Sequence, residues 1–182
     1  MLNSLKKQLT ELAQDPQEHF YLKVFQCLNS KDCRESSNEL QKFVLMLPEM
    51  IRQVYAWRSM PSMKPEIKKL NHFMLAYLYD PVNFLPNEPY GLFGYLDDAY
   101  FVGSVLHLTV GNMGLQNARY LPSSAELPKD LEPWLNLARQ TLPRETKMID
   151  QLINNVLQGR EDNIQRLVSV IESAEESSYA RN

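Results

Sequence analysis

The residues best suited to chemistry are gathered in and beside one stretch, Tyr79 to Leu115. Asp97 and Asp98 stand side by side in an otherwise apolar run, with Asp80 and His72 ahead of them and His107 after them. Carboxylates and imidazoles hold divalent metals and exchange protons near neutral pH. His72, Asp97, Asp98 and His107, with Asp80 beside them, are thus the set from which a metal site could be assembled. The spacing argues for a different role. Adjacent helical residues point 100° apart, so Asp97 and Asp98 are not a natural bidentate clamp. No pair has a ligand spacing such as His-Glu-x-x-His, and no nucleophile elbow, phosphate-cradling glycine loop or dinucleotide fingerprint occurs. No residue is assigned as catalytic and no cofactor is required, a divalent metal being the one alternative. The favoured reading makes Asp97 and Asp98 structural acceptors for backbone amides of the preceding turn, and His107 a satisfied core histidine.

The elements that must position these residues follow from periodicity. At 100° per residue from Tyr90, Leu92, Leu96, Ala99, Gly103, Leu106 and Val110 form one stripe, with Phe101, Val105 and Leu108 opposite. A helix apolar on both sides is buried, which predicts a central helix over residues 90–115. Gly91, Gly94 and Gly103 cost helix propensity, and close approach by a neighbouring helix is the expected compensation. Before it, Pro81, Pro86 and Pro89 exclude a helix, and Phe84 and Leu85 are too apolar for a free loop. Pro65 opens the helix ahead of that turn, carrying Leu70, Phe73, Met74, Tyr77 and Leu78. The expected unit over residues 61–116 is a buried helical hairpin with a proline-locked turn. Its free amides, Val82 to Glu88, are the ones that call for the aspartates.

The segment Asp80-Pro81-Val82-Asn83-Phe84-Leu85-Pro86, followed by Gly94-Tyr95-Leu96-Asp97-Asp98-Ala99, resembles the core motif of the YkvA-like domain family over about residues 76–110. The family is a domain of unknown function often found in membrane-associated proteins. The resemblance implies the hairpin fold and no activity. Asn83 and Asn87 stand where an acid is common, and the interval from Pro86 to Gly94 is one residue longer than in many members. If the family's acids bound a cation, the two asparagines would weaken it here.

The whole chain reads as a single all-α domain, residues 1–182. Its 44% hydrophobic content is enough for a real core. A net charge of −3, without a basic run interleaved with aromatics, gives no reason to expect nucleic acid. The first residues lack a signal peptide's apolar core, and Cys27 and Cys33 stand unaccompanied, so a cytoplasmic protein with free thiols is expected. Membrane association is compatible but not required, because a helix-centre Asp costs roughly 2.5–3.5 kcal/mol on insertion scales.

Helices are expected from Leu2 to the Asp15-Pro16 break, then from Pro16 with Phe20, Val24, Phe25 and Leu28 on one face. A polar loop spans 29–37, and a long helix runs from Ser37 to Arg58 with a possible kink at Pro48. After a loop through Pro122 and Pro128, helices cover 130–142, 143–158 and 160–175, with a frayed tail over 173–182. In the 143–158 helix, Met148, Ile149, Leu152, Ile153, Val156 and Leu157 cover more than one stripe needs. They are the candidate interface with another protein or a second copy of the chain. Two function classes fit: a non-catalytic helical interaction module (an adaptor or regulatory subunit), or a metal-dependent hydrolase or lyase using the hairpin's carboxylates and histidines.

Overall fold

Proline sets half of the helix starts among the described residues. The computed structural model describes residues 2–15, 19–28, 33–58, 60–61, 63–78, 84–85, 90–113 and 130–160. Within them lie α1 (Leu2–Gln14), α2 (Phe20–Leu28), α3 (Cys33–Leu45), α4 (Leu47–Trp57), α5 (Pro65–Tyr77), a 3-10 turn (Gly91–Tyr95), α6 (Leu96–Met113), α7 (Glu132–Thr141) and α8 (Pro143–Leu157). No strand occurs among the described residues, so the all-α class holds. The helices α4, α5, α7 and α8 each carry a proline in the first two positions, where its missing N–H costs nothing, and each has a Glu in its first turn facing the positive helix end.

The long helix expected over 37–58 is two helices. It breaks at Met46, and Pro48 sits at the second position of α4, starting a helix where the sequence suggested only a kink. The first of the two begins at Cys33, inside the expected polar loop, and buries Cys33 and Ser37. In α2, Phe20 and Val24 turn inward, but Phe25 is exposed and does not join their face.

The expected helix over 90–115 opens as the 3-10 turn, where Gly91 takes the left-handed φ of 55°. A 3-10 turn advances about 120° per residue, so the 100° wheel does not apply before Leu96. From Leu96 to Leu106 every residue of α6 is buried, and α6 packs against α3, α4, α5, α7, α8 and the 3-10 turn. This is the central helix that its two-sided apolar pattern demanded. Its last two turns leave the core: Thr109 is still buried, but His107, Gly111 and Asn112 are exposed.

Gly103 explains how the layers close. A Cβ there would lie 2.8 Å from Phe43 Cζ on α3 and 3.3 Å from Leu135 Cδ2 on α7. Phe43 in turn packs against Trp134, whose indole N–H donates to Glu39 Oε2 at 2.9 Å. The propensity lost at this glycine is offset by contact between three helices.

The hairpin partners α5 and α6 run antiparallel. Tyr77, at the end of α5, meets Phe101 edge-on at 5.1 Å, and Asn71, one and a half turns earlier, lies against Thr109 with Oγ1 to Oδ1 at 3.0 Å. Phe84 also packs on Tyr77, with the ring centroids 5.8 Å apart. Asp80, Pro81 and Pro86 lie outside the described residues, as do the expected 160–175 helix beyond Arg160 and the 173–182 tail.

Candidate functional site

The acid pair begins α6 and is sealed from water. Asp97 is 1% exposed and Asp98 8%. The Leu85 N–H donates to Asp97 Oδ2 at 2.9 Å, which is the contact that the turn's amide accounting asks for. Burial pushes Asp98 up to about 7. Asp97 is held well above the ordinary carboxylate range, by burial first and then by the neighbouring Asp98 charge, with the amides of Leu85, Asp98 and Asp97 itself pulling the other way. Burial raises Asp97 although one oxygen, Oδ2, accepts from Leu85; the second gains no such bond. That second oxygen, Oδ1, has no hydrogen-bond partner among the described residues, and neither has Asp98 Oδ1. Asp98, titrating near 7, has the acidity of a general acid or base. Neither acid lines the two clefts described below, and Asp97 ties Leu85 to the start of α6.

The remaining metal candidates do not join it. His107 lies ten residues beyond Asp97, about 15 Å along the helix axis at 1.5 Å per residue. It is exposed rather than a core residue, with Nε2 3.5 Å from Glu132 Oε2. The apolar run misled here because α6 has begun to leave the core by that turn. His72 is exposed on α5, its Nδ1 2.8 Å from the Lys68 carbonyl oxygen one turn back. Among the described residues no three His, Cys, Asp or Glu side chains converge, so His72, Asp97, Asp98 and His107 do not form one site.

The candidate interface on α8 is largely spent on the core. Ile149, Leu152, Ile153 and Val156 are buried, and only Met148 and Leu157 keep part of their surface. The apolar excess on α8 is consumed because α5, α6 and α7 all pack against it, covering more than one of its faces.

An apolar face that the sequence did not single out lies on α2. Tyr21 is 44% exposed, Leu22 50% and Phe25 46%, with the two rings 6.3 Å apart. At 100° per residue these three span about 100° of the helix, the width of a packed face, but they point outward. Beside them a groove of about 450 Å³ runs between α1, α2 and α3, lined in part by Tyr21, Arg34, Asn38 and Gln41. Among the described residues, Arg34 makes no ion pair or hydrogen bond. Phe25 was the available signal: Phe20, Val24 and Leu28 already filled the inward side, leaving Tyr21, Leu22 and Phe25 about half exposed among the described residues.

No helix among the described residues is long and apolar enough to cross a membrane. No protein-family model, curated protein or solved structure matches this chain, so the YkvA-like resemblance rests on its motif residues alone.

Proposed function

We propose that the chain is a non-catalytic helical interaction module, an adaptor or regulatory subunit, that binds another protein through α2. One observation carries this: three large apolar side chains, Tyr21, Leu22 and Phe25, stand about half exposed on one helix. Contiguous exposed apolar surface marks interaction sites, and Tyr and Arg are the residues on which binding energy concentrates. Arg34 in the adjoining groove supplies a cation without a partner among the described residues. The face fits a partner surface with an apolar ridge and a carboxylate placed for Arg34. The YkvA-like reading belongs to the same proposal, with the hairpin as the scaffold and α2 as the working surface.

A photoreactive residue in place of Leu22 would identify the partner, and the purified pair would then be titrated. Phe25→Asp should weaken binding by about tenfold or more, as loss of a buried aromatic anchor does. Binding of the purified partner that is unchanged by Phe25→Asp and by Leu22→Asp would overturn the proposal. Concentration-dependent self-association abolished by the same variants would show a second copy to be the occupant.

A further inference from the structure

Between α6, α7 and α8 lies a second cleft, of about 310 Å³, whose polar groups are unequally satisfied. Ser104 lines it, is only 6% exposed, and its Oγ has no hydrogen-bond partner among the described residues. A helical serine ordinarily satisfies itself on the carbonyl one turn back. A buried hydroxyl that does not, and that faces a cleft, lacks a partner that a ligand can supply.

The charges around it select the kind of ligand. Arg139 is the guanidinium of the cleft and is committed to its neighbours. Its Nε donates to the Tyr100 hydroxyl at 2.8 Å, and its Nη1 lies 2.9 Å from Asn136 Oδ1 and 3.3 Å from Glu132 Oε1. The Tyr100 hydroxyl donates in turn to Asp150 Oδ1 at 2.7 Å. Asp150 Oδ2 stands 3.9 Å from Arg139 Nε, too far for a hydrogen bond, and keeps its acceptor capacity. Two carboxylates, Glu132 and Asp150, thus face one guanidinium and the His107 imidazole, whose Nε2 lies 3.5 Å from Glu132 Oε2; with a neutral imidazole this leaves an excess of one negative charge. Leu108 and Ile153 provide an apolar wall beside these acceptors.

We propose that this cleft binds a short-chain primary amine as its ammonium ion. The ammonium donates to Ser104 Oγ and Asp150 Oδ2, and the alkyl chain lies along Leu108 and Ile153. An ammonium group has three donors and no acceptor, which matches the uncommitted carboxylate oxygen of Asp150, and the Ser104 hydroxyl, donor and acceptor both, takes one of those donors on its oxygen. The site is separate from the α2 face, and its test does not depend on any partner protein.

The test is an NMR titration of the full chain with n-butylamine at pH 7, with butyrate and 1-butanol as anionic and neutral controls of similar length. Butylammonium should give saturable shifts at Ser104, Leu108, Asp150 and Asn154, and the controls should not. Ser104→Ala should weaken binding by about tenfold or more, the range of one lost hydrogen bond to a charged group. The same variant should melt no lower than the parent, since it removes an unsatisfied buried hydroxyl; weaker binding is then not a folding defect. Asp150→Asn should weaken binding by about tenfold or more, as loss of a charged acceptor does. Should that variant unfold through its link to Tyr100, Glu132→Gln on the half-exposed rim replaces it and should also weaken binding. Shifts with butyrate or 1-butanol equal to those with butylamine would overturn the proposal. So would no saturable shift at these residues, or parent-like binding in Ser104→Ala and the acid variant.

Discussion

Raising the pH should weaken this fold through Asp98. Its carboxyl ionises at about 7 in the folded chain, against 3.8 for the ordinary group, because burial disfavours the charge. Below pH 4 both the folded and unfolded chains hold the proton, and the group costs nothing. Between pH 4 and 7 the unfolded chain releases the proton while the folded chain retains it, so unfolding becomes steadily easier as pH rises. At 1.36 kcal/mol for each pKa unit the loss over that window is on the order of 4 kcal/mol. Against a total stability of about 5–15 kcal/mol that is a large fraction. Asp97 is raised too, by burial first and then by the Asp98 charge, and its ionisation adds to the decline in the same sense. Glu39 works in the opposite sense. Its bonds to Lys42 and Trp134 lower its pKa, so its contribution is lost on acidification below the ordinary carboxylate range, outside the pH 5–8 interval where the aspartates can be read. In urea titrations the parent should lose roughly 3 kcal/mol between pH 5 and 7, the share of the Asp98 window lying there. Asp98→Asn, which cannot ionise, should remove most of this slope and be more stable than the parent at pH 8, and the two should converge near pH 4. A parent whose stability is flat or rises from pH 5 to 8, or an Asn variant with the parent's slope, would refute the reasoning.

The other expected outcomes follow from single contacts. Asp97→Ala removes the acceptor of the Leu85 N–H and should cost about 1–3 kcal/mol in urea unfolding, whereas Asp97→Asn keeps a carbonyl acceptor and should cost much less. Gly103→Ala should destabilise by about 1–3 kcal/mol, because its Cβ would meet the Phe43 ring at 2.8 Å. Gly111→Ala, with nothing within 4 Å of its Cβ, should raise the melting temperature through a helix-propensity gain of up to about 1 kcal/mol. Tyr100→Phe deletes the hydroxyl linking Arg139 to Asp150 and should cost about 1–3 kcal/mol by the same urea assay.

How much of this was legible in the sequence depends on how local each signal was. The central position of α6 was readable because Leu96 to Leu106 is apolar on every side, and such a segment can only be surrounded. Gly103 was readable as a contact point, although Phe43 and Leu135 as its neighbours were not, since they come from distant turns. Asp97 as an amide acceptor followed from counting the amides left by three prolines. Its raised pKa did not: the shift depends on how completely α6 is enclosed. Met46 could not be picked out as the break between α3 and α4, because both sides keep helical periodicity and Pro48 is tolerated in a first turn. The α8 interface failed for a related reason. A wheel shows that Ile149, Leu152, Ile153 and Val156 need cover but not whether the cover belongs to the same chain. On α2 the same ambiguity ran the other way, and Phe25 was assigned to a core that did not have room for it. The Tyr100–Arg139–Asp150 linkage joins three helices across 50 residues and leaves no trace in spacing.

The claim that α2 is the working surface is tested most directly by hydrogen exchange of the chain with and without the partner captured from position 22. Protection on binding should fall on residues 20–28 and 33–41, on either side of the groove that holds Arg34, and should leave 143–157 unchanged. Protection confined to 143–157, with α2 exchanging as in the free chain, would contradict the account.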